Sequence, residues 1–245
     1  MQEQKLEYNK SYIDCVDSLS PVNHRIKLAK IGDKVSIKGN NLPSNFCYII
    51  EAPVSYFGMP VDQIGLVDFT RFKKFYEAMS TKTVLASLSL NIDDDGSAVD
   101  MIFKNEERSD TLTLRLGDTS LPTFDASFNE LAEHQNDVVA EFSEETINEI
   151  QRKISIIGAD YIDVIANENV LNFCIYTMRS ADRADYPVFL SQPSTKSFKL
   201  KFTAETLNLL PKGKYKIEID ADGGLYMKQI REDEISVEIM LLAEE

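Results

Sequence analysis

The chain of 245 residues is poor in the residue types on which most chemistry depends. It has three cysteines, Cys15, Cys47 and Cys174, which are far apart, odd in number and without a Cys-x-x-Cys pair. That pattern argues against a disulfide framework and for free, buried thiols in a reducing compartment. The two histidines, His24 and His134, lie far from each other and from any cysteine cluster, so they read as ordinary residues and no metal site is expected. Ten glycines fall mostly in turns, and none builds a phosphate-cradling loop. No Ser/His/Asp or Cys/His ordering has supporting context, so neither an enzyme nor a cofactor is expected. No apolar run approaches the ~18 residues that a membrane span requires. Met1 to Lys10 carries charges rather than the apolar core of a signal peptide, which points to the cytoplasm.

Positive charge is scarce as well. The formal net charge is −14, which favours solubility and argues against a simple nucleic-acid coat. A small basic face can still coexist with an acidic remainder. Two Asp-rich segments, Asp93-Asp94-Asp95-Gly96 and Asp220 to Gly224, lack the spaced ligands and flanking helices of a calcium loop and read as solvated hairpin turns.

What the chain does have is an internal repeat. Four times a short amphipathic helix pattern is followed by alternating strands around a turn-rich hairpin. The turns fall at Ile31-Gly32-Asp33, Asp93 to Gly96, Asn167-Glu168-Asn169 and Asp220 to Gly224, roughly 55 to 75 residues apart. The helices are expected at about Tyr8 to Leu19, Asp68 to Met79 with Asp68 as cap, Ser143 to Gly158, and Thr203 to Leu210 before Pro211. Ile147, Ile150, Ile154 and Ile157 form the buried stripe of the third, and Gly158 suits its C-terminal stop. Among the strands, Thr111 to Leu116 alternates cleanly, with Leu112, Leu114 and Leu116 on one side. Residues 121–137 break every period and read as a connector between domains at 1–120 and 138–245. The architecture is therefore α+β, with two similar domains, each having two helices on one side of antiparallel sheets.

The basic residues gather near these helices: Lys10 on the first, Arg71, Lys73 and Lys74 on the second, Arg152 and Lys153 on the third, Lys212 and Lys214 after the fourth. They are either ordinary solvated faces or a pooled surface turned toward a phosphate backbone.

At this point the chain resembles the DNA sliding clamps, nearest to the T-even-type bacteriophage clamps and more distantly PCNA. The resemblance covers nearly the whole length. Arg152 to Gly158, Arg-Lys-Ile-Ser-Ile-Ile-Gly, is similar to the Arg-x-Leu-Ser-x-Ile-Gly stretch that ends a PCNA helix. Leu66 to Tyr76 resembles the second clamp helix, and Leu210 to Lys216 resembles the Pro-Gly-x-Tyr-Lys start of a phage-clamp strand. The ending Leu241 to Glu245 is similar to clamp C-termini. In two places the chain departs from PCNA: its first helix is poor in lysine, and Asn208 stands where the fourth carries a basic residue.

The resemblance implies a homotrimeric ring around duplex DNA, a non-catalytic processivity factor that tethers a DNA polymerase after an ATPase clamp loader has opened it. It places Arg71, Lys74 and Arg152 at the DNA, with Lys10, Lys153 and Lys212 as further contacts. It implies subunit pairing between Thr111 to Leu116 of one copy and Leu171 to Thr177 of the next, through Leu171, Phe173 and Ile175. A client peptide would dock near Leu121, Pro122, Phe124, Pro211, Leu241 and Leu242. If phage-encoded, such a ring works in the host cytoplasm. The competing reading is a β-rich phage ring protein of a tail tube or baseplate, whose helices need not be basic.

Overall fold

The computed structural model describes residues 2–19, 21–22, 26–41, 45–66, 68–81, 83–117 and 136–244. His24, His134, Leu121, Pro122 and Phe124 lie outside the described residues, as does the expected connector except for Asn136 and Asp137. The chain divides into two units, one of Met1–Gly39 and Ile49–Asp125, the other of Asn40–Tyr48 and Ala126–Glu245.

The first unit runs β1 (Gln2–Leu6), α1 (Lys10–Leu19), β2 (Ile26–Ile31), β3 (Lys34–Asn40), β4 (Phe46–Pro53), β5 (Gln63–Leu66), α2 (Phe69–Met79), β6 (Ser87–Ile92), β7 (Ala98–Asn105) and β8 (Asp110–Arg115). Phe46 to Tyr48 of β4 and Asn40 of β3 count with the second unit. Its strands order as β1-β6-β7-β8 and β5-β2-β3-β4. The second unit runs β9 (Val138–Phe142), α3 (Glu144–Ile157), β10 (Tyr161–Asn167), β11 (Val170–Tyr176), β12 (Arg183–Phe189), β13 (Phe198–Thr203), α4 (Ala204–Asn208), β14 (Lys214–Asp220), β15 (Gly224–Ile230) and β16 (Ser236–Leu242). These order as β9-β14-β15-β16 and β13-β10-β11-β12.

The two sets of orders are the same permutation, so the repeat in the sequence is a repeat of topology. Each copy is one strand, a helix, four strands, a second helix and three strands. The leading strand, β1 or β9, returns to pair with the first strand after the second helix. In the first unit that closure goes beyond the helix-plus-meander pattern, because Gln2–Leu6 buries only Leu6 and shows no period of two.

Local chemistry explains the helices. Asp68 caps α2 by accepting from Arg71 N at 3.0 Å, and Ser143 caps α3 by accepting from Thr146 N at 3.1 Å. Glu144 and Glu145 sit in the first turn of α3, where carboxylates oppose the positive end of the dipole. Gly158 ends α3 at φ 62°, a left-handed conformation that costs glycine little. Ile147, Ile150 and Ile154 are buried as the period demands, while Ile157 is only half-buried.

Each unit has its own core. In the first, α2 lays Phe69, Phe72, Tyr76 and Met79 over β7 and β8, and Phe72 meets Phe103 edge-on at 5.4 Å. In the second, Phe142 of β9 meets Phe173 of β11 edge-on at 5.7 Å, which joins that unit's two sheets. Burial of such a ring contributes about 1.5–3 kcal/mol. Among the described residues no helix is long and apolar enough to cross a membrane.

Candidate nucleic-acid interface

The buried stripe of α2 fixes what its other side shows. With Phe69, Phe72, Tyr76 and Met79 inward, helical spacing turns Arg71 and Lys74 to solvent, and both are exposed. No ion pair among the described residues engages either of them. The Arg71 guanidinium lies 5.4 Å from the centroid of the Phe75 ring, which steadies the side chain without neutralising it. Lys73 differs. It is half-buried and salt-bridged at 2.5 Å to Asp17 of α1, whose carboxylate holds the ammonium above the usual lysine range. The pair ties α1 to α2 and leaves Lys73 no spare charge for a phosphate.

The remaining basic positions are weaker. Arg152 is exposed on α3, but its guanidinium grips Glu149 one turn earlier, Nη2 to Oε2 at 2.8 Å and Nε to Oε1 at 3.1 Å. Lys153 is half-buried, with its ammonium 5.9 Å from the centroid of Tyr186 on β12. Lys10 is exposed at the start of α1, and Lys212 is exposed four residues beyond α4. α2 bears three basic residues against one acid, Glu77. The other three helices among the described residues bear Lys10, Arg152 and Lys153 against Asp14, Asp17, Glu144, Glu145, Glu149 and Glu205. Positive potential is thus concentrated on one helix, which sequence spacing alone did not separate from the others.

The sheet edges require a correction. Among the described strands β8 is an edge strand, paired only with β7. Leu114 and Leu116 point inward and are buried, Leu112 is half-buried, and Thr111, Thr113 and Arg115 are exposed. β11 is not an edge: β10 pairs along one side and β12 along the other. Leu171, Phe173 and Ile175 are fully buried, so neither their backbone nor their side chains can receive another copy. One terminal strand of that sheet is β13; the other, the edge beside β11, is β12, whose residues alternate between exposed and half-buried. Pro187, lying within a strand pattern, was the signal that could have found it, because a proline without an N–H is tolerated at an edge.

The three described residues of the expected docking pocket, Pro211, Leu241 and Leu242, do not all come together either. Pro211 precedes Lys214, which pairs with Ile230 at one end of the β14–β15 hairpin. Leu241 and Leu242 pair with Leu225 and Gly224 at the other end, a full seven-residue strand away, about 20 Å at the usual rise. Pro211 and Leu241 are buried, and Leu242 is 38% exposed. Of these residues only Leu242 offers surface. Among the described residues no group of three or more His, Cys, Asp or Glu side chains is placed to hold a metal ion.

This duplicated topology is the PCNA-like sliding-clamp fold. A proliferating cell nuclear antigen from Entamoeba histolytica superposes with a TM-score of 0.73 at 14% identity, over 99% of this chain and 98% of that one. A chain of the PCNA2–PCNA3 complex from Sulfolobus tokodaii superposes with a TM-score of 0.71 at 14% identity, over 99% of each. No protein-family model matches the sequence, and no curated protein matches it.

Proposed function

We propose that the chain is a sliding clamp: three copies close into a ring around duplex DNA and hold a DNA polymerase on its template. The observation that carries this reading is the fold, shared with PCNA structures over nearly the full chain at TM-scores of 0.73 and 0.71. The chemistry agrees with it. A clamp catalyses nothing, and it must slide, so its lining needs weak contacts that average over phosphates rather than a tight grip. Arg71 and Lys74 supply that contact, with Lys10, Arg152, Lys153 and Lys212 contributing less. The acidic remainder discourages nonspecific adhesion to nucleic acid.

Ring closure uses the open edges β8 and β12, since joining them hides strands that would otherwise aggregate. An ATP-driven loader opens and closes the ring, and clients dock by a short peptide near Leu242 and the 121–137 connector. The Leu210 to Lys216 segment supports nearer kinship with T-even-type phage clamps, and with it work in a host cytoplasm. The phage tube or baseplate reading is not favoured, because the fold is that of a clamp. Two measurements test the proposal. Light scattering should give a mass near three times 27.7 kDa. Addition of the loaded protein should lengthen the products of its polymerase. A monomer at every concentration, or no gain in product length, contradicts it.

A further inference from the structure

The hydrogen bonds at the ends of β8 and β12 reveal which backbone groups each edge offers. Leu116 N donates to Val99 O at 3.0 Å, so the even-numbered residues of β8 bond to β7 and Thr111, Thr113 and Arg115 turn their N–H and C=O outward. Leu190 N donates to Asn169 O at 2.8 Å, so the even-numbered residues of β12 bond to β11 and Arg183, Asp185, Pro187 and Phe189 turn outward. Pro187 therefore costs the β11–β12 ladder nothing, because its missing N–H lies on the open side. Side-chain faces follow the same parity. Leu112, Leu114, Tyr186 and Val188 lie on the inner faces, while Thr111, Thr113, Arg115, Asp185 and Phe189 lie on the outer ones. Backbone and side chains both demand that odd residues meet odd residues.

The length of the open edge narrows the choice. Gly117 N donates to Gly65 O at 2.8 Å, which closes the outer side of β8 just past Arg115. Only glycine permits that approach at position 65, since a Cβ there would stand 2.8 Å from Gly117 O. An added strand can thus use Thr111, Thr113 and Arg115 and nothing further along. Two antiparallel registers engage all three residues with β12. One sets Arg115 opposite Arg183, which places two guanidiniums together and leaves Phe189 beyond the strand. The other sets Arg115 opposite Asp185, Thr113 opposite Pro187 and Thr111 opposite Phe189.

We infer that β8 of one copy joins β12 of a second copy antiparallel in the second register, with Arg115 against Asp185. This rests on the ring proposed above and specifies its joint. Charges then alternate across the seam. Asp100 lies 3.3 Å from Arg115 within one copy, and Arg183 lies 3.1 Å from Asp185 within the other. Phe189, 80% exposed in the single chain, gains cover over Thr111, and Leu112 and Leu114 extend the inner apolar row to Val188 and Tyr186. Every outward backbone group from Thr111 to Arg115 finds a partner except the C=O of Thr113, which faces the ring nitrogen of Pro187. Like-charge contact across a strand pair is unfavourable, and opposite charge is favourable, which selects between the registers.

Paired cysteines in the full-length chain decide the register. Opposed residues of an antiparallel pair stand within disulfide range, about 5.5 Å between Cα atoms, whereas residues two further along do not. T113C with P187C should give covalent oligomers on mild oxidation, and T111C with P187C, opposed only in the other register, should lose them; position 185 is avoided because it faces Cys174 within one copy. The parent chain, whose three cysteines are buried, and each single variant should give none. The reverse pattern overturns this register, and a light-scattering trimer with neither product overturns the β8–β12 joint while leaving the ring. A protein monomeric at every concentration overturns the ring and the joint together. As a second measurement, R115D alone and D185R alone should lower the concentration-dependent mass, and the double exchange should restore it. A double exchange no better than either single variant contradicts the charge pairing.

Discussion

Replacement of Arg71 and Lys74 by alanine should weaken DNA contact far more than replacement of Arg152. Both α2 residues are exposed and no ion pair among the described residues engages them, so a phosphate meets their full charge without breaking a salt bridge. Arg152 must first give up a two-pronged contact with Glu149, whose carboxyl it already holds below the usual range. Each phosphate neutralised on duplex DNA contributes about −0.9 to the slope of log K against log salt. Loss of Arg71 and Lys74 therefore removes about 1.8 from that slope for each protomer in contact, about a tenfold change in affinity between roughly 50 and 200 mM salt. The assay is fluorescence anisotropy of a short duplex titrated to high protein concentration across that salt range. It should show a shallow line for R71A/K74A, with light scattering unchanged. R152A should lie close to the parent chain. An unchanged slope for the α2 pair, or an equal loss for R152A, would refute the assignment of DNA contact to one helix.

Three other outcomes follow from single contacts. Glu149→Gln frees Arg152 and should steepen the same salt slope by up to about 0.9 per protomer; a shallower slope would mean that Arg152 never faces phosphate. Phe173→Ala opens a cavity at a fully buried ring in contact with Phe142, and should lower stability by about 3–5 kcal/mol in denaturant titration. A change seen only in assembly, with stability intact, would return β11 to the surface. Asp137, with 2% of its side chain exposed, accepts from Thr195 Oγ1 at 2.5 Å and from Ala221 N at 3.1 Å, and the Thr195 bond leads in lowering its pKa. Its depressed folded pKa means that its stabilisation is present above the unfolded aspartate value of about 3.9 and is lost as pH falls through the lower folded value. Asp137→Asn should therefore flatten the acid limb of a stability-against-pH curve below about pH 4. A limb as steep as the parent's would assign acid sensitivity to other carboxylates.

The sequence carried the repeat, the two longer helices with their caps, and the glycine stop of α3, because each of these is fixed by neighbours within a turn. It did not carry β1. The segment Gln-Glu-Gln-Lys-Leu buries only Leu6, so no period of two exists to read, and the strand forms because β6 offers a ladder 80 or more residues away. β11 was misplaced for the opposite reason. Leu171, Phe173 and Ile175 alternate like a half-exposed strand, yet Cys174 between them is buried too, at 3% exposure. Only the pairing on both sides reveals that. Of the charge pairs, Arg152 with Glu149 was readable from its spacing of three. Lys73 with Asp17 was not, since the contact depends on how α1 packs against α2. The candidate site was therefore legible as a set of cations and illegible as to which of them are free.

Topology is the most direct test of the central claim, because a ring that encircles DNA is held by linkage rather than affinity. The protein should be loaded by its ATP-driven loader onto a nicked circular plasmid and separated from free protein by gel filtration at moderate salt. A single restriction cut should follow. Encirclement predicts that the protein stays with the circle and is lost within minutes of linearisation, as it slides off the ends. Equal retention on circular and linear DNA, or none on either, would contradict the account.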